Sequence, residues 1–307
     1  MKAKQNEKNT SRWRQLRRSL RAASERVMNL LFFLCGILAI GCVALISVYM
    51  VISGLPAIRE IGLTDFLFGQ VWASTAKEPQ FGILPFILTS VWGTVGATVI
   101  GVPIGLMTAV FLSKIAPRRL ADKIRPAIDL LAGIPSVVYG LIGVSVLVPA
   151  IAAIFDLPKG TSLFAAILVL SVMILPSIIS VSETALTAVP PEYEEASLAL
   201  GATQIETIFK VSIPAAKSGI AAGVVLGIGR AVGEAMAVMM VAGNVANMPT
   251  LFGSVTFLTT AISKEMSYSS GLQRQALFSI ALILFLFIML INILLNVLLK
   301  KNTKGGR

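Results

Sequence analysis

Histidine is absent from this chain of 307 residues, which removes the commonest general base and metal ligand from consideration. Cysteine is scarce. Cys35 and Cys42 both fall in the first apolar run, so neither a disulfide framework nor a metal site is indicated. Charged residues make up only 13% of the chain against 56% hydrophobic ones, and mean hydropathy is +0.85. Such a balance excludes a soluble globular domain and points to a polytopic membrane protein. Acidic residues number 15 against 26 Lys and Arg, a net charge of +11 that would suggest nucleic acid in a soluble protein. Here the basic residues stand at the ends of apolar spans, where they act as topology signals, and no nucleic-acid partner is expected. No G-x-x-x-x-G-K-S/T loop occurs. The run Gly227-x-Gly229-x-x-x-Gly233 lies inside an apolar stretch rather than behind a strand, so it is no dinucleotide fingerprint either.

Apolar runs, by contrast, are long and repeated. Residues 1–26 carry nine Lys and Arg against Glu7 and Glu25 and read as a basic cytoplasmic tail. The run that follows, 27–55, is too long for a signal-peptide core and lacks a small-x-small cleavage site, so it reads as an uncleaved first span. Further spans are expected at 89–112, 127–154, 163–182, 218–243 and 276–299, each near the ~20 residues that a bilayer crossing needs. A short basic tail, 300–307, closes the chain, and residues 81–88 are read as an interfacial helix ahead of the second span. Six spans put both ends on one side. Twenty of the 26 basic residues then fall on the proposed inner side and five (Arg59, Lys77, Lys159, Lys264 and Arg274) outside, so N-in and C-in follows. Small residues recur on single helix faces, Gly93, Gly96, Gly101 and Gly105 in the second span and Gly219, Gly223, Gly227 and Gly233 in the fifth, where they allow close packing. Pro103, Pro135 and Pro176 are expected to kink the spans that hold them.

One polar stretch interrupts this pattern. The loop 190–214 places Glu192, Glu194, Glu195, Glu206 and Lys210 among apolar positions, the signature of a short amphipathic helix pair. Gly201 marks the turn between them, Pro190 and Pro191 suit a first helical turn, and Pro214 ends the stretch by removing a backbone donor. Charge asymmetry puts the loop in the cytoplasm. Glu195, Ala196, Ser197, Gly201, Val211, Ile213 and Pro214 resemble the EAA motif of ABC importer permeases, with matching spacing. Ser197 in place of the second Ala and Ile213 in place of Leu are mild departures. The resemblance implies a coupling helix that sits in a cleft of an ATPase subunit and passes its closure to the membrane domain.

Charge also occurs inside the membrane. Arg230 and Glu234 lie four residues apart in the fifth span. Thirteen residues separate Arg230 from Lys217, a depth of about 20 Å in a core about 30 Å thick. Two readings stand: the pair neutralises itself along one helix, or Arg230 lines a wetted path and meets an oxyanion while Glu234 holds it between cycles. Asp129 and Glu183 lie near the inner ends of their spans and read as interfacial or paired with basic loop residues, Asp129 also as a possible gate residue.

The segments DLLAGIPSVVYGLIG (129–143) and GIGRAVGEAMAVMMVAGN (227–244) resemble those of PstC-type permease subunits of phosphate ABC importers, and the likeness runs from about residue 30 to 299. It implies an all-α fold of six transmembrane helices, the type I ABC importer permease (MetI-like) fold, in a bacterial cytoplasmic membrane. It further implies a PstA-like permease partner, two PstB-like ATPases that carry ATP and Mg, and a PstS-like binding protein that delivers phosphate. This chain itself would bind no cofactor and catalyse nothing. A PstA-type sister subunit, a permease for another oxyanion, and an ion-coupled secondary transporter remain alternatives.

Overall fold

The computed structural model describes residues 2–304, with side chains described for Glu25 and residues 27–294. The side chains of the basic tails expected at 1–26 and 300–307, Glu25 apart, lie outside the described residues. By packing, the chain divides into two units, 1–52 and 53–307. The first is most of one helix, α1 (Lys2–Ile61), and between residues 27 and 52 nothing is buried within it. A helix so apolar and so bare is solvated by lipid or by other chains.

The second unit begins with the end of α1 and then α2 (Leu63–Phe68). A two-residue antiparallel hairpin follows, β1 (Trp72–Ala73) on β2 (Gln80–Phe81), with Trp72 opposite Phe81. α3 (Leu84–Val110) has Pro85 in its first turn, where the missing N–H costs nothing, and continues through a π-helical turn, Phe111–Ile115. The interfacial helix expected at 81–88 does not form separately, since α3 is already unbroken from Leu84. α4 (Arg118–Gly133) is amphipathic. α5 (Ser136–Ile142), a π-helical turn and α6 (Val148–Ile154) make the next apolar run.

α7 (Leu163–Thr187) is central: 14 of its 25 residues are buried. Ser162 caps it by accepting from the Ala165 N–H at 3.2 Å, and the carbonyls of Val241, Gly253 and Leu251 take the N–H groups of Ser162, Leu163 and Phe164. Donors that a helix start leaves open are thus satisfied by the loop lying over it. α8 (Pro191–Ala199), α9 (Gln204–Thr207), a π-helical turn and α10 (Ile213–Ala215) build the polar loop. From there α11 (Lys217–Gly233), α12 (Met236–Val241), α13 (Leu258–Glu265) and α14 (Gly271–Lys304) complete the chain.

Among the described residues five helical stretches are long and apolar enough to cross a bilayer, and a sixth arises if 204–215 and Lys217–Gly233, bent by 72°, are one broken span. α3 and α11 both pack on α7. Ile178 of α7, fully buried, is wedged between Gly105 of α3 and Gly227 of α11. A Cβ at either glycine would lie 2.8–2.9 Å from Ile178, so only hydrogen fits there.

Two spans differ from expectation. Residues 127–154 do not form one helix, because α4 ends at Gly133 and Ile134 is extended (φ −68°, ψ 127°) before α5. Pro135 is the cause: its ring drives the preceding residue out of the helical region. Pro135 therefore caps a helix instead of kinking one, whereas α3 and α7 run on through Pro103 and Pro176. Residues 218–243 break as well, at Glu234, which is extended (φ −74°, ψ 129°) between α11 and α12.

Candidate functional site

The polar loop is built by local rules. Pro191 opens α8, and Glu192 and Glu194 in its first turn suit the positive end of the helix dipole. Gly201 has φ +89°, a left-handed turn that glycine adopts without strain. Thr203 and Glu206 form a reciprocal capping box at the start of α9, and Lys210 reaches back to Glu206 at 3.2 Å.

The seven positions of the EAA resemblance occupy distinct settings. Glu195, Ala196 and Gly201 are exposed; Ser197 is half-buried, its Oγ 2.9 Å from Thr207 Oγ1. Val211 and Ile213 are half-buried where the loop meets the spans, and Pro214 is exposed in α10. Around them Tyr193, Leu198, Ile205 and Phe209 are exposed and Leu200 is 90% exposed, an apolar rim on a charged loop.

A polar cluster that no linear motif signals fastens this loop to the membrane helices. Lys114, in the turn that ends α3, pairs with Glu194 Oε1 at 2.5 Å. Ser212 Oγ donates to the same oxygen at 2.9 Å, and Gln204 Nε2 donates to the Lys114 carbonyl at 3.3 Å. Only a fold brings residues 80 or more positions apart together in this way.

Arg230 is half-exposed in the last turn of α11, a helix unbroken from Lys217. The Tyr139 hydroxyl donates to the Leu131 carbonyl at 2.7 Å. Among the described residues Arg230 has no ion pair. Glu234 does not share its helix: the carboxylate accepts from the Ala237 N–H at 3.0 Å, capping α12, and the Glu234 carbonyl accepts from Thr259 Oγ1 at 2.7 Å. Both expected arrangements, Glu234 neutralising Arg230 along one continuous helix and Glu234 holding it between cycles, need the two side chains in contact; here the helix ends between them and they do not pair. The carboxylate is instead engaged by a backbone N–H in the first turn of α12, a donor that a helix start leaves open.

Between the middle of α4 and the C-terminal end of α7 lies a cavity of about 630 Å³ lined by Arg125, Asp129, Ser180, Glu183 and Thr184. Arg125 Nε donates to Glu183 Oε1 at 2.7 Å and Nη1 to Asp122 Oδ1 at 3.3 Å; the Glu183 hydrogen bond raises the guanidinium further above its ordinary value. Glu183 is thus paired with Arg125, a basic residue that α4 rather than a loop carries, while exposed Asp129 faces the cavity. Among the described residues no cluster of three or more carboxylate or cysteine groups is placed to hold a metal ion.

Helices long and apolar enough to cross a bilayer, with a charged two-helix loop ahead of a bent stretch, make up the architecture of a membrane permease. Two solved chains share the fold: one from the inward-facing MetNI methionine ABC transporter (TM-score 0.57, 21% identity, 72% of this chain and 95% of that one) and one from a bacterial alginate ABC transporter (TM-score 0.61, 16% identity, 89% and 96%). The chain belongs to the family of binding-protein-dependent transport system inner membrane components, whose model matches residues 101–304, and within it to the PstC type. It is 41% identical to the probable ABC transporter permease protein YqgH of Bacillus subtilis over 85% of this chain and 87% of that protein. Identity is 38% to the phosphate transport system permease protein PstC of Pasteurella multocida (72% and 75% covered) and 34% to that of Haemophilus influenzae (85% and 89%). It is accordingly a multi-pass ABC importer permease subunit, which works in an assembly with ATPase and binding protein.

Proposed function

We propose that this permease carries inorganic phosphate inward, N-in and C-in, beside a PstA-like subunit, driven by two PstB-like ATPases and supplied by a PstS-like binding protein. The observation that carries the reading is Arg230: a half-exposed guanidinium about 20 Å along α11 from Lys217, with no carboxylate paired to it among the described residues. A guanidinium offers several donors in a fixed fork, matched to a tetrahedral oxyanion. Glu234 sets the break that ends α11 one turn beyond, and in this reading it keeps Arg230 facing the path rather than binding it directly. Asp129, on the cavity between α4 and α7, is the gate candidate at the inner end. Relatives named as phosphate permeases support the choice of solute.

Glu195, Ala196, Ser197, Gly201, Val211, Ile213 and Pro214 form the surface on which the ATPase pushes, and the exposed Leu198, Leu200, Ile205 and Phe209 around them suit insertion into a partner's cleft. The test is ATP-dependent phosphate uptake into proteoliposomes holding the whole importer. Arg230→Gln should lower uptake about 100-fold, as loss of a charge-assisted contact to the solute does, while the ATPase subunits still co-purify. Near-normal uptake by that variant would overturn the role of Arg230. Uptake that persists without nucleotide and collapses with the ion gradient would favour a secondary carrier.

A further inference from the structure

We propose that Glu194 is a positioning residue for energy coupling, a latch that ties α8 at once to the inner end of the second span through Lys114 and to the foot of the bent span through Ser212. The inference rests on the loop being the ATPase docking surface. Its basis is geometric. Glu194 Oε1 receives both Lys114 Nζ at 2.5 Å and Ser212 Oγ at 2.9 Å. Lys114 closes the turn that ends α3, and Ser212, fully buried, precedes the bend into α11. One oxygen therefore joins three elements.

Burial makes this junction decisive for α8. The helix buries none of its nine residues, and only Glu194 and Ser197 are not exposed. No apolar face anchors it, so its grip on the spans is polar: Glu194 to α3 and to the turn before α10, Ser197 to Thr207. The Lys114 and Glu194 side chains are 12% and 27% exposed, a setting in which an ion pair is screened far less than one on an open surface. Gln204 holds the Lys114 carbonyl, so both halves of the loop close on the same residue. A displacement of α8 is passed to α3 and α11 together, and both pack on α7. Without the latch, α8 would keep only its short link to α7 and the Ser197–Thr207 contact, and less of its movement would reach α3 and α11.

The experiment uses the complete importer in proteoliposomes and reads phosphate moved per ATP hydrolysed. Lys114→Met and Glu194→Gln should each lower that ratio about tenfold while the ATPase subunits co-purify in normal amounts. The charge-swapped double variant, Lys114→Glu with Glu194→Lys, should recover to within about threefold of the original, because the pair is rebuilt with its sign reversed. Single variants that stay fully coupled, or a swap no better than the singles, would overturn the latch. If neither single assembles, Ser212→Ala decides: a fall of about two- to threefold supports the proposal and an unchanged ratio sinks it. A wild-type complex that hydrolyses ATP but moves no phosphate would instead fault the solute assignment, and the latch is then read from stimulation of the ATPase by the binding protein, which the singles must lose and the swap restore.

Discussion

Ile178 has no room to be anything larger or smaller. Its side chain fills the space between Gly105 and Gly227, so the distance between three helices is set at one residue. Ile178→Ala should destabilise the protein by about 2–4 kcal/mol through an unfilled cavity, read as a lower thermal midpoint in detergent with assembly retained at low temperature. An unchanged midpoint would mean that the helices close over the gap. Arg230 illustrates a different limit. Its place in a span was legible from the sequence, because a charge in an apolar run stands out, but its freedom from Glu234 was not. A spacing of four residues promises a contact only if the helix continues, and here the helix breaks and the Ala237 N–H of α12 takes the carboxylate.

At the scale of elements, turn chemistry was easy to read where glycine or proline ends a charged segment and hard to read inside apolar ones. Gly201 is the clear case. Nothing lies within 4 Å of the position a Cβ would take, and φ is +89°, so a substitution there acts through backbone strain alone. Gly201→Val should cost about 1–2 kcal/mol in the turn and reset the angle between α8 and α9. The expected result is a complex that hydrolyses ATP with several-fold less phosphate uptake per turnover; tight coupling in that variant would remove the mechanical role of the turn. Pro135 signals a kink but not the full break at Ile134, and no proline marks the break at Glu234, where the carboxylate and carbonyl bond to α12 and Thr259. Hydropathy reports burial in lipid, whereas a helix ends where a proline ring or a competing hydrogen bond removes its next residue.

For the whole molecule, the distribution of basic residues makes a prediction that the helices themselves do not. With Cys35 and Cys42 replaced by Ser, Lys159→Cys should react with an impermeant maleimide in intact cells, and Lys123→Cys only after the membrane is opened. Both lysines are exposed, so reactivity reports side and not burial. The reverse pattern would invert the topology and put the loop 190–214 out of reach of any ATPase.

Composition and order along the chain determined by themselves that this is a helical membrane protein and that a charged loop stands between two of its apolar stretches. These follow from local properties: transfer of apolar side chains into lipid, the count of charges at span ends, and residue types that make turns. Only the tertiary structure decided which helix is central, where two spans break, and that Glu194 joins Lys114 to Ser212. Those facts depend on groups far apart in sequence competing for the same donor, acceptor or space, and such a competition has no outcome until the chain has folded.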